Sequence, residues 1–166
     1  LNFGPMTAGV LHTLVVNNVR DASSKSNAIA ANSSAPFVPS EYTPVAIGNP
    51  QPAGGSVPVP GGLRLTAGGR DLGGTGDQIQ YSYQSRSGDF DVKVRLESLS
   101  LADAWSKAGL VAREDASAGA RFAASLATPN IAGCYFAARG TANGPTVTAG
   151  SAPVTSPNLW LRLRRS

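Results

Sequence analysis

From about residue 62 onward the chain alternates apolar and polar positions in short runs. Phe90, Val92, Val94 and Leu96 alternate with Asp91, Lys93, Arg95 and Glu97, which is the pattern of a strand with one buried and one wetted face. Ile79, Tyr81 and Tyr83 alternate with Gln78, Gln80, Ser82 and Gln84, and Leu63 and Leu65 alternate with polar or small neighbours. Further strands are expected over 108–112, 122–126, 135–138 and 159–163, with turns at Ser87-Gly88-Asp89 and Asn143-Gly144-Pro145. In the last strand Trp160, Arg162 and Arg164 fall on one face, and Leu159, Leu161 and Leu163 on the other. Residues 61–166 therefore read as two packed antiparallel sheets.

The earlier part of the chain is organised differently. A β-rich run over 11–19 (LHTLVVNNV) and a short strand over 35–38 belong to a segment, residues 1–38, that buries too little apolar surface to fold alone. It is expected to be the tail end of a domain. Seven prolines lie between Pro36 and Pro60, with Gly54-Gly55 among them. Proline fixes φ and removes a donor, so a central strand is excluded there. Residues 39–60 are expected to be a linker, with an edge strand near 45–47 opening the next unit.

Composition narrows the class. Of 166 residues, 14% are charged and 7% aromatic, and there are 19 Gly and 12 Pro. A helical bundle would need far more helix formers, so an all-β protein is expected. The net charge of +4 owes much to Arg162, Arg164 and Arg165. With no recognisable reading element beside this local basicity, nucleic acid is not the expected partner. No apolar run is long enough for a membrane helix, so no membrane insertion is expected. Cys134 is the only cysteine, which excludes an intrachain disulfide. The chain begins at Leu1 and stops at Ser166 directly after a strand pattern. It is expected to be a piece of a longer protein, covalently joined to neighbouring domains.

Two segments carry family resemblances. Leu14-Val15-Val16, Val19, Asp21, Asn27 and Ile29, within residues 7–37, resemble the C-terminal strands of bacterial S-layer-type Ig-like domains. The run Arg70 through Gln78, then Tyr81 and Tyr83, Ser87-Gly88-Asp89-Phe90, Trp105 through Glu114, Ala118 through Arg121, and Trp160-Leu161-Arg162-Leu163 resemble the concanavalin-like, regulation-of-enolase-like jelly-roll modules of secreted bacterial proteins. That resemblance implies a lectin-like β-sandwich lacking its last strands, at the cell surface or secreted. It supplies no reaction, because one fold carries hydrolases, lectins and spacers alike.

The chemistry-bearing residues are few. Asp71 and Asp77, in the Gly-rich run 68–76, are candidate calcium ligands, or else caps for the backbone of the turn. Trp105 and Lys107 offer an aromatic platform and a donor to a sugar, although tryptophan also fills the space between sheets. Arg113 is either a ligand contact or a structural arginine paired with Glu97 or Asp103. Trp160 and Arg162 suit an anionic glycan, unless strands beyond this chain cover their face. Glycosidases need two carboxylates flanking one bond. Glu114 and Asp115 point to opposite faces of a strand, and Asp89 sits in a turn. The expectation is a non-enzymatic module binding polysaccharide or a cell-surface glycan, or a structural spacer; an ancillary domain of a secreted glycoside hydrolase ranks third.

Overall fold

The computed structural model describes residues 5–129, 131–154 and 159–166. Among these residues the regular structure is entirely β: β1 (His12–Val16), β2 (Ser33–Phe37), β3 (Thr43–Ile47), β4 (Gly55–Val59), β5 (Gly62–Thr66), β6 (Ile79–Tyr83), β7 (Phe90–Leu96), β8 (Ala108–Arg113), β9 (Phe122–Ala127), β10 (Cys134–Arg139), β11 (Val147–Ala152) and β12 (Leu159–Arg165). All pairings are antiparallel. A central sheet of order β11-β10-β9-β8 is accompanied by the pairs β12-β7, β3-β6, β4-β5 and β1-β2.

The central sheet is rich in alanine and glycine, which lets other layers approach both of its faces. Phe122, Ala124 and Leu126 of β9 stand opposite Arg139, Ala137 and Tyr135 of β10, and opposite Arg113, Val111 and Gly109 of β8. These residues form one face. Leu72 and Ile79 pack on it, in a cluster with Phe122, Ala124, Leu126 and Ala137. At Gly109 the backbones come so close that a Cβ would collide with the carbonyl of Ser125. The opposite face is covered by β12, whose Leu159 and Leu161 meet Ala127, with Leu96 and Leu110 alongside. Fully burying a leucine contributes roughly 1.5–3 kcal/mol, so Leu159, Leu161 and Leu163 anchor the sandwich. That cover is partial: Phe136 of β10 and Val147 of β11 remain exposed.

One sequence-based expectation changes. Residues 39–60 are more than a linker. β3 pairs with β6 through five residues and β4 pairs with β5 through five, and Ile47 is 1% exposed. Each of these strands has a partner along one edge only, where a proline's missing donor is tolerated. Within this chain the face of β12 that carries Trp160 is exposed, with Trp160 at 62%.

Candidate functional site: a groove on the central sheet

The exposed end of the first face forms the floor of a groove of about 1030 Å³. Tyr135 and Ala137 of β10 and Thr148 of β11, which pairs with Ala137, lie in that floor. One wall is the Gly-rich segment 69–74. The other is the turn holding Asp103, Trp105, Ser106 and Lys107.

The Trp105 wall is a self-contained turn. Asp103 Oδ1 accepts from the Trp105 amide at 2.7 Å, and the Ser106 hydroxyl accepts from the Asp103 amide at 3.1 Å. These local bonds hold Trp105 outward at 56% exposure. Lys107 Nζ sits 5.9 Å from the indole centroid and donates to Asp71 Oδ1 at 2.5 Å. That ion pair joins the two walls. Burial pushes the Tyr135 phenol up, and the charge on Asp71 adds to the shift. The phenol therefore stays protonated at neutral pH, able to donate.

The Gly-rich wall is fixed from beneath. Positive φ at Gly69 and Gly74 gives it turns that L side chains rarely adopt. Asp77 is 1% exposed and Arg139 is 1% exposed. Arg139 donates from Nη2 to Asp77 Oδ1 at 2.7 Å and from Nη1 to Oδ2 at 3.0 Å. Arg113 Nη1 also donates to Oδ2, at 3.0 Å, and the Gly73 amide donates to Oδ1 at 3.2 Å. The remaining Arg139 donors reach carbonyls of Gly73, Gly74, Ala118 and Ala120, and its guanidinium lies 5.0 Å from the Phe122 ring centroid. Only its Nε lacks a partner among the described residues. Thr146 Oγ1 donates to the Gly74 carbonyl at 2.9 Å. One arginine from the central sheet thus holds the wall in place.

The residues singled out in the sequence separate into three places. Trp105, Lys107 and Asp71 meet in the groove. Asp77 and Arg113 lie under the wall. Arg113 spends its donors on Asp77 and on the carbonyls of Asp115 and Ser117, and its side chain is 2% accessible, which leaves no surface for a ligand. Its partner is Asp77, and neither Glu97 nor Asp103. Trp160 and Arg162 stand on the outward face of β12, with Arg162 held by Asp91. As cation ligands Asp71 and Asp77 do not converge: one carboxylate is tied to Lys107, and the other is enclosed by guanidiniums. Asp77 does cap one turn amide, yet its main partners are arginines.

Arg139, Tyr135 and Thr148 were not singled out in the sequence, and Asp103 was named only as a partner for Arg113. Arg139 carried one signal: it continues the alternation Tyr135, Ala137 at the end of a strand, so a charge falls on the apolar face. These features define an all-β protein of antiparallel sheets that bears a polar, aromatic-edged groove among the described residues. Among protein-family models, curated proteins and solved structures, none matches the chain.

Proposed function

We propose that the chain is a non-catalytic, extracellular module of a modular bacterial protein, a concanavalin-like jelly roll following the end of an Ig-like domain, that holds carbohydrate weakly in this groove. The observation that carries the reading is Trp105, held outward by its own turn at the mouth of a groove with a hydroxyl-bearing floor. An indole face suits the apolar face of a pyranose ring. Lys107 donates, Asp71 accepts, and Tyr135 and Thr148 offer hydroxyls. A shallow site of one aromatic and a few hydrogen bonds gives a Kd of about 1 mM to 1 μM. Asp71 and Asp103 both line the groove, but the first is held by Lys107 and the second caps its turn, so neither is offered as a general acid.

A glycan array followed by calorimetric titration tests the reading. Binding that is lost in Trp105→Ala and kept in Trp160→Ala is the expected result. Blank arrays and titrations sink it and leave the spacer. One observation favours that second reading: Lys107 and Asp71 already satisfy each other across the groove.

A further inference from the structure

The β7-β12 pair buries Leu159, Leu161 and Leu163 of β12 on one face, where Val92 and Val94 of β7 stay 40% and 38% exposed, and presents the other face to solvent. Its register sets Trp160 opposite Arg95, Arg162 opposite Lys93 and Arg164 opposite Asp91. Alternation brings Glu97 to the same side. Side chains of one face repeat about every 6.6–6.8 Å along each strand, so this outer surface is a two-strand array of four cations, two carboxylates and one indole. Arg162 clasps Asp91 through Nε at 2.8 Å and Nη2 at 2.5 Å, and Arg95 holds Glu97. Among the described residues Lys93 and Arg164 have no ion-pair partner, although both lie near enough to Asp91 to help depress its pKa. The array therefore carries an excess of positive charge beside an indole that is 62% exposed.

We propose that this outer face binds an acidic polysaccharide. Carboxylate or sulfate groups of the polymer pair with Lys93 and Arg164, a sugar ring stacks on Trp160, and sugar hydroxyls donate to Asp91 and Glu97. Those two carboxylates decide between polyanions. A DNA phosphodiester backbone has no hydroxyl to donate to the carboxylates. A single-stranded nucleic acid also wants a succession of stacking aromatics, whereas this face has one. A polymer that intersperses charge with hydroxyls matches the mixed array. The site is independent of the groove, which lies across the central sheet from β12.

The test titrates the full chain with heparin, polygalacturonate, dextran and a DNA duplex, following tryptophan fluorescence over a series of salt concentrations. The expected result is binding of heparin or polygalacturonate that weakens as salt rises, with dextran inert at this face. The paired change Lys93→Gln with Arg164→Gln should weaken it roughly tenfold or more, the effect of losing charge-assisted bonds. Trp160→Ala should remove the fluorescence response, while Trp105→Ala should leave acidic-polymer binding intact. Dextran binding of equal affinity that persists in Trp105→Ala, a preference for DNA, or undiminished acidic-polymer binding in the paired variant would each overturn the proposal. Loss of acidic-polymer binding in Trp105→Ala would overturn the separation of the two sites. Dextran binding abolished only by Trp105→Ala supports the groove reading without bearing on this one.

Discussion

Replacing Asp77 with alanine removes the single counter-charge shared by two buried guanidiniums. Four donors lose their acceptor at once: two from Arg139, one from Arg113 and the Gly73 amide. Neither arginine can reach water in place, since the Arg113 side chain is 2% accessible and that of Arg139 is 0%. Removing one partner of a buried ion pair costs about 3–5 kcal/mol, against a total stability of about 5–15 kcal/mol for a domain. At roughly 2–4 °C per kcal/mol for a chain of this size, Tm should fall by about 6–20 °C. Urea unfolding followed by tryptophan fluorescence measures the loss directly. A drop under about 1 kcal/mol, the range of exposed pairs, would refute the argument that the triad is dry. A second variant separates charge from packing. Asp77→Leu combined with Arg113→Met and Arg139→Met should recover much of the loss, because exchanging a whole buried ionic cluster for apolar groups is often neutral. If the triple variant is no better than the single one, the guanidiniums matter chiefly for the carbonyls they hold.

Gly109→Ala forces a methyl against the Ser125 carbonyl and should destabilise the sandwich by about 1–3 kcal/mol, measured in the same unfolding assay. Asp91 and Glu114 have pKa values lowered in the folded chain, chiefly by hydrogen bonds from Arg162 and Arg121. Their contribution to stability is present above the unfolded values of 3.8 and 4.5 and is lost as pH falls through the lower folded ones. Carboxyl NMR titration should put both midpoints beneath those values, and Arg162→Gln should return Asp91 to the ordinary range; midpoints at or above the unfolded values contradict the ion pairs. Burial raises the Cys134 thiol, so alkylation at neutral pH should be slow in the native chain and speed up on unfolding; equal rates would show an open thiol.

How much of this was legible depended on whether the information was local. The alternation from Phe90 to Glu97 located β7 (Phe90–Leu96), but the face it was expected to bury is open at Val92 and Val94, 40% and 38% exposed, because among the described residues no layer packs over that half of the pair. The split of β12 into a leucine face and a Trp160/Arg162/Arg164 face held because a two-residue period needs no knowledge of partners. The edge strand expected near 45–47 is β3, whereas β4 was hidden by Pro58, since proline is excluded from central strands but tolerated in strands paired along one edge. β11 (VTAGSA) has no bulky alternation and exists through its pairing with β10. At the groove, Trp105, Lys107 and Asp71 were identifiable by type, but the Lys107–Asp71 bond spans 36 positions, and nothing local announces it. Arg139 reaches 62 positions back to Asp77. That pairing arises from sheet geometry, so the calcium-or-cap alternative for Asp77 left out the partner that in fact occupies it.

The two walls of the groove differ in how far a change in them travels. The turn from Asp103 to Ser106 closes on itself through three short bonds, so a library randomised there would alter the mouth of the groove and little else. The segment from Gly73 to Asp77 is bonded to Arg139, and through it to the interior, so most replacements there would be paid for in folding. The groove has one exchangeable jaw and one fixed jaw. Directed evolution for a new ligand, or natural divergence among modules of this design, would run through the Trp105 turn first.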